Sequence, residues 1–332
     1  MNVLVTGGAG YIGSHTVRAL GEAKINAIVY DNLSTGHQGA LATDVSFVRG
    51  DIHDRKLLVS TLEKNKIDAV VHFAAASLVG ESMTNPGKYY TNNVVGTLSL
   101  LEAMLAADVK KLVFSSTAAV YGEPELWPIT ETAPVAPTNV YGRTKLMIEQ
   151  ILADYSRAYQ LSYVSLRYFN AAGALAGGLI GEDHSPETHL LPLILKTALG
   201  QRSSIDVYGT DYPTEDGTCI RDYIHVVDLA DAHVKALGHL AGGGTSRIYN
   251  LGSENGYSVS AVIDQAKQIT GVDFTVKEAE RRAGDPAVLV ASAKKISAEL
   301  GWKPRYSTLP DIISSAWNWH RKNPAGYNDK LK

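Results

Sequence analysis

Apolar positions along the chain fall in short runs separated by longer stretches of helical period. Residues 2–6 form an apolar strand that runs into a glycine turn and then a helical stretch to about residue 22. Further β-branched or apolar runs follow at 25–30, 45–49, 69–72 and 111–115, with helical patterns at 54–64, 87–108 and 138–159. Strand and helix alternate in this way for roughly 165 residues. That rhythm predicts an α/β fold: a Rossmann-type, doubly wound parallel sheet with helices on both faces. A strand at 163–167 closes this region.

Beyond Asn170 the rhythm weakens. Residues 173–186 read as a Gly- and Ala-rich loop carrying acidic residues and His184. A helix at 189–199, a strand at 205–207, a polar loop at 208–219 and a helix at 226–240 follow, and then shorter alternating elements. The expected division is a first domain over 1–170 and a smaller α/β C-terminal domain over 171–332, with segments free to exchange between them.

Composition narrows the function classes. The 332 residues carry 31 Lys+Arg against 34 Asp+Glu, a net charge of −3, so nothing electrostatic argues for nucleic acid. One cysteine, Cys219, excludes an internal disulfide and suits a reducing compartment. The first strand begins almost at Met1, with no signal-peptide pattern, and no apolar run approaches the ~20 residues of a membrane span. A cytoplasmic protein is expected. No metal site is apparent: the ten histidines include no His-Glu-x-x-His, and there is no cysteine cluster. His225 and His233 read as packed structural residues.

The strand 2–6 leads into Gly7-Gly8-Ala9-Gly10-Tyr11-Ile12-Gly13 and a helix. Chain reversal there needs a residue tolerant of positive φ, and close approach of backbone to a pyrophosphate needs a missing Cβ. The helix N-terminus then offers free N–H groups and a positive dipole end. A glycine string alone also describes a bare turn. Asp31 at the end of the second strand, 21 residues after Gly10, adds a carboxylate that bonds a ribose 2′-OH and repels a 2′-phosphate. NAD is therefore expected over NADP. Asp51, ending the third strand, is placed for the adenine amino group or, equally, for a turn or helix cap.

Tyr141 and Lys145 stand four apart at the start of a helix and so share one face. A phenol is a poor base at its reference pKa of ~10, but an adjacent ammonium and an oxidised nicotinamide favour phenolate. The pair reads as a general base with a ribose anchor, or else as an exposed surface pair. Thr117, after Phe114-Ser115-Ser116, sits at the C-terminal edge of a strand, where ligands of open α/β sheets bind. Asn92 is read as a backbone bridge near the cofactor, or as a polar residue inside a helix.

These features resemble the extended short-chain dehydrogenase/reductase superfamily. Further motifs resemble, within it, the UDP-galactose 4-epimerase family over nearly the whole chain. They are Asp31-Asn32-Leu33-Ser34, His72-Phe73-Ala74-Ala75, Val79-Gly80-Glu81-Ser82, Asn92-Asn93-Val94-x-Gly96-Thr97 and Arg167-Tyr168-Phe169-Asn170. The later ones are the more specific: Asp216-Gly217-Thr218-x-x-Arg221-Asp222-Tyr223-Ile224-His225-Val226 and Arg281-Arg282-x-Gly284-Asp285. Two departures stand out. Thr117 replaces the commoner serine but keeps the hydroxyl, and within the stretch from Ala75 to Ser77 an alanine stands where some members have glycine or lysine.

The resemblance implies that Gly7, Gly10, Tyr11, Ile12 and Gly13 hold the pyrophosphate. It places Asp31, Asn32, Ser34, Thr35 and Gly36 at the adenosine ribose, and Asp51 and Ile52 at the adenine. Phe73, Ala74, Ala75, Asn92, Ser115 and Phe169 then lie along the path to the nicotinamide, with Tyr141 and Lys145. Asn170, Leu190, Tyr208, Arg221, Arg282 and Asp285 are implied to hold a UDP-sugar, with Thr117 and Tyr141 at its reacting carbon. The arginines supply guanidinium forks suited to a diphosphate. Leu289 is implied at a wall of the sugar pocket, where a bulky aromatic excludes an N-acetyl group at C2 and a small residue admits it; an ordinary core leucine is the alternative. A homodimer through the 87–108 and 138–159 helices is also implied.

The implied reaction oxidises C4 of the sugar at the expense of bound NAD, turns the 4-keto sugar over and returns the hydride to the other face. This interconverts UDP-galactose and UDP-glucose. A 4,6-dehydratase would need acid and base groups after Thr117, where Ala118 and Ala119 stand. Epimerases of N-acetylated, uronic or pentose UDP-sugars stay open, as does a non-catalytic NAD-sensing regulator, against which intact Tyr141, Lys145 and Thr117 argue.

Overall fold

Val3, Leu4 and Val5 are wholly buried, although successive residues of a strand point to opposite faces. A strand buried on both sides belongs in the middle of a parallel sheet covered by helices. The computed structural model, which describes residues 1–282 and 285–327, places it there. Strands β1 (Asn2–Thr6), β2 (Asn26–Asp31), β3 (Ser46–Arg49), β4 (Ala69–His72), β5 (Lys111–Ser115), β6 (Ser162–Tyr168) and β7 (Arg247–Leu251) form one sheet. Its order is β7-β6-β5-β4-β1-β2-β3, and every pairing is parallel.

The two faces carry separate cores. Val3 and Val5 join Val17 and Leu20 of helix α1 (Tyr11–Glu22) with Leu229, Leu237 and Leu240 of a later helix, Val226–Ala241. Leu4 joins the other core, with Leu58 and Leu62 of α2 (Arg55–Lys64), Leu100 and Met104 of α3 (Gly96–Ala106), and Ile148 and Leu152 of α4 (Val140–Tyr159). The doubly wound α/β expectation holds. A third core joins α5 (Leu190–Ala198), α6 (Val259–Thr270) and α7 (Leu309–Lys322) to the parallel pair Ile205–Tyr208 and Val276–Ala279.

Two details differ from the pattern reading. The seventh strand comes from far beyond residue 170, so 163–167 does not close the sheet: β7 pairs with β6 from Arg247↔Val164 to Leu251↔Tyr168 and buries Tyr249 and Leu251. The helix expected over 87–108 is interrupted. A turn Pro86–Tyr89 leads into a π-helical segment Tyr90–Val95 before α3 begins at Gly96. The wide turn sits where Asn93 leaves the helical surface to bond other segments, a local break that recurs at functional sites. Gly96 continues from it because a Cβ there would lie 2.4 Å from Ile52 Cδ1.

Candidate active site

The glycine turn is built between β1 and α1. Gly7 adopts φ +70° and its N–H donates to Tyr30 O at 2.9 Å; a Cβ there would sit 2.6 Å from the Ala74 nitrogen. Gly13 lies against the same turn, where a Cβ would sit 2.2 Å from Gly7 O. These two glycines are required by packing. Gly10 is different: a Cβ would meet only Gly7 O, at 3.3 Å. The protein crowds that position less than the other two, which leaves the backbone at the helix N-terminus open to close approach. This is the observation that fits a dinucleotide pyrophosphate to the turn.

Asp31 is buried at the end of β2 and accepts from Ala9 N (3.0 Å) and Leu33 N (2.8 Å), one bond per oxygen. Burial raises its pKa, while those backbone bonds and His37 oppose the rise. Lone pairs remain for ribose hydroxyls. Gly36 closes on this turn, where a Cβ would lie 2.9 Å from Ala9 C. Asn32, Ser34 and Thr35 are exposed beside it. Asn32 Nδ2 donates to Asp51 Oδ2 at 2.9 Å, and Asp51 also pairs with His53 at 2.6 Å. Ile52 is buried below them, Ile12 packs against the first core, and the Tyr11 hydroxyl donates to Gly173 O at 2.6 Å.

After β4 the chain turns across the sheet edge. Phe73 and Ala74 donate their N–H groups to Thr6 O at 2.9 and 3.1 Å, and Ala75 follows, half-buried. The backbone bridge expected of Asn92 belongs to its neighbour. Asn93 is fully buried; its Oδ1 accepts from Ala76 N (2.8 Å), and its Nδ2 donates to Ala76 O (3.0 Å) and Thr144 Oγ1 (3.1 Å). Asn92 only donates to Asn93 Oδ1, at 3.0 Å. The π turn aims the second asparagine, not the first, at the loop.

Asn139 caps α4 by accepting from Gly142 N at 2.8 Å, which sets Tyr141 and Lys145 in its first turns. Lys145 is 2% exposed, which removes the surface-pair reading. Its Nζ donates to Ser115 O at 2.8 Å and lies 5.8 Å from the Tyr141 ring centroid. Burial lowers its pKa to about 7, against the pull of Glu149. Burial likewise pushes the Tyr141 phenol up to about 12, while Thr117, facing it, pulls the other way. Thr117 follows β5, with its Oγ1 also accepting from Ala119 N at 3.1 Å. Ser115 Oγ pairs with Tyr168 OH at 2.5 Å.

Behind this trio lies a buried network that the sequence did not signal. Arg167 Nε donates to Glu149 Oε1 at 2.9 Å, and its Nη2 bonds the second oxygen. Ser116 Oγ donates to Glu149 at 2.6 Å, and Arg167 Nη1 donates to Tyr121 OH at 2.9 Å. Glu149 extends the Tyr141–Lys145 face by one more turn, so the pair locks α4 to β6.

Asn170, Leu190, Tyr208, Arg221, Arg282 and Asp285 line one cavity of about 230 Å³. Asn170 Nδ2 donates to Asp222 O at 2.9 Å. The Arg221 guanidinium pairs with Asp285, and that of Arg282 stacks 3.9 Å from the Tyr208 ring centroid. Thr188 and His189, which the sequence did not single out, share the lining. Leu289 lies in Val288–Leu289, beside Ile220–Arg221, and packs with Phe169 against the core of Ala118, Val120, Tyr121 and Ile129. Gly284 lies outside the described residues.

Known proteins share this architecture and about half of the sequence. The pattern of the NAD dependent epimerase/dehydratase family matches residues 3–252. A UDP-glucose 4-epimerase of Halalkalibacterium halodurans is 55% identical over 332 residues, 100% of this chain and 99% of the relative. A crystal structure of a UDP-glucose 4-epimerase superposes with a TM-score of 0.97 at 52% identity, covering 99% of this chain and 100% of that one. A UDP-glucose 4-epimerase from Bifidobacterium longum, in complex with NAD+ and UDP, superposes at 0.94 with 42% identity, covering 98% and 100%. With that match over three quarters of its length, and relatives of this identity over all of it, the chain belongs to the NAD dependent epimerase/dehydratase family.

Proposed function

We propose that this chain is a UDP-glucose 4-epimerase that interconverts UDP-galactose and UDP-glucose with NAD as its resident cofactor. One observation carries the reading: a buried Lys145 beside Tyr141 and Thr117 shares the strand ends with a phosphate-binding turn, on a chain that matches such epimerases from end to end. Gly7, Gly10 and Gly13, with Tyr11 and Ile12, hold the pyrophosphate. Asp31 takes the ribose, with Asn32 to Gly36, Asp51 and Ile52 on the adenosine side. Phe73, Ala74, Ala75, Asn92, Ser115 and Phe169 line the nicotinamide end. Bound NAD supplies the acceptor and donor of the C4 hydrogen and a positive charge beside the phenol.

The chain's own groups do the rest. Tyr141 removes the proton of the sugar 4-OH, and Thr117 shares that oxygen. Lys145 keeps the phenol's surroundings cationic and holds the cofactor ribose. Asn170, Leu190, Tyr208, Arg221, Arg282 and Asp285 keep the nucleotide in place while the 4-keto ring turns over. Tyr141 then returns the proton. Elimination of water would need a further acid and base, and the residues after Thr117 are Ala118 and Ala119.

The division into 1–170 and 171–332 is kept with one exchange: Val226–Ala241 and β7 are given to the first part. The homodimer is proposed through the two helical segments, on which Val95 (51%) and Met147 (41%) stand exposed. A cytoplasmic site rests on the single unpaired Cys219. Among the described residues no helix is long and apolar enough to cross a membrane.

Incubation with UDP-galactose, UDP-N-acetylgalactosamine, UDP-glucuronate and UDP-xylose, without added cofactor, tests the reading. UDP-glucose from UDP-galactose should dominate, with weak turnover of the N-acetylated sugar. Leu289 sets that ratio: Leu289→Tyr should abolish the N-acetyl activity and spare UDP-galactose, and Leu289→Gly should raise it. An unchanged ratio of kcat/KM values in both variants removes Leu289 from the sugar wall.

A further inference from the structure

The strap that leads into α5 carries Glu182, His184, Glu187 and His189, and one donor atom from each lies within 4.8 Å of all the others. His184 Nδ1 is 3.2 Å from Glu182 Oε1 and 3.7 Å from Glu187 Oε2. His189 Nδ1 is 2.8 Å from Glu182 Oε1 and 3.3 Å from Glu187 Oε1. Both carboxylates are buried, with side chains 5% and 4% exposed. Glu187 Oε1 is committed to the backbone N–H groups of Thr188 (2.8 Å) and His189 (2.9 Å).

The remaining atoms are close but misdirected. Glu182 Oε1, Glu187 Oε2 and His184 Nδ1 are buried without a hydrogen bond of proper geometry. Ordinary His–Glu pairs would aim an N–H at an oxygen. Here three buried donor atoms of one cluster lack such a bond. Zinc–nitrogen and zinc–oxygen bonds of about 2.0–2.2 Å, arranged tetrahedrally, put neighbouring ligand atoms about 3.3–3.6 Å apart. The His–Glu separations to Glu182 Oε1 and Glu187 Oε2 run from 2.8 to 3.7 Å, within a cluster whose four donor atoms all lie within 4.8 Å. Two imidazoles and two carboxylates suit zinc, and four protein ligands leave no open position for chemistry.

We propose that Glu182, His184, Glu187 and His189 form a structural zinc site. The ion closes the strap on itself and fixes the start of α5. His189 is the N-terminal flanking residue of that helix, and with Thr188 and Leu190 it lines the cavity of about 230 Å³. The ion therefore braces one wall of that cavity. This last step rests on the UDP-sugar reading; the metal site does not.

The test is metal analysis of the full-length protein, equilibrated with zinc and dialysed against metal-free buffer. About one zinc per chain is expected, with loss of the ion in His184→Ala and in Glu187→Gln. Chelation of the wild-type protein should lower its Tm, and added zinc should restore it. Cobalt loaded into the same protein should show the visible absorption of a tetrahedral centre, a readout that stands even if both variants fail to fold. Trace zinc with no change in Tm means that the cluster is a pair of His–Glu ion pairs, and overturns the site. Zinc retained equally by both variants places the ion elsewhere and overturns it too. Zinc content is read without substrate, so a zinc-loaded protein lacking epimerase activity would refute the proposed function and leave the site intact.

Discussion

Tyr141→Phe should lower turnover by about 10²–10⁴-fold, the usual yield of a positioned acid–base group, and leave UDP binding nearly unchanged. The substitution removes one oxygen and keeps the ring, so the helix start and the neighbouring Lys145 keep their packing. The size of the loss follows from the site's electrostatics. Burial holds the phenol at about 12, so the resting protein keeps it protonated at neutral pH. On the proposed role, catalysis therefore depends on the positive charge of the bound dinucleotide and on the charged fraction of Lys145, which burial brings down to about 7. The cavity proposed for the nucleotide is lined by other residues, so affinity for UDP should not follow turnover. Near-full activity in Tyr141→Phe would remove it from the reaction. A parallel fall in UDP affinity would mean that the change disturbed the fold instead.

The second large effect concerns stability. Glu149→Leu should destabilise the protein by about 3–5 kcal/mol, the cost of leaving one member of a buried ion pair alone. That is a large share of the about 5–15 kcal/mol that holds a typical domain folded. Arg167, 4% exposed, would lose both guanidinium contacts to the carboxylate, and the nearby buried Lys145 would lose the anion that supports its charge. Arg167→Met should cost less than Glu149→Leu, because Glu149 would still accept from Ser116 and face Lys145. The double variant Glu149→Leu/Arg167→Met should recover much of the loss, since replacing both charges removes the desolvation penalty along with the attraction. Denaturant midpoints across the four proteins measure this. Strict additivity of the two single losses would show that the pair is not a coupled unit.

What the sequence made legible follows from how local each signal is. The run from Val3 to Gly13 announces strand, turn and helix within a dozen residues, and the structure reproduces it. Tyr141 and Lys145 share a face by helical geometry alone. The residues proposed for the nucleotide came through motif resemblance, and six of them share one lining. The hidden features depend on contacts between distant segments. β7 follows a glycine-rich stretch and is recognisable only by its pairing with β6, more than 80 positions earlier. Glu149 and Arg167 lie on a helix and a strand, where each looks like an ordinary polar residue until both are found buried. The backbone bridge expected of Asn92 is made by Asn93, because a single π turn shifts the face of the helix by part of a turn. Glu182 to His189 lacks a helical ligand spacing, and only the folded strap brings its four donors together.

The central claim is that the sugar's own C4 hydrogen leaves and returns within one site. The most direct measurement uses UDP-galactose deuterated at C4, incubated in ordinary water with the purified protein and no added cofactor. The account predicts UDP-glucose that keeps its deuterium at C4, with a slower rate wherever breaking that bond limits turnover. Loss of the deuterium to solvent, or no product until NADP or NADPH is supplied, would contradict it.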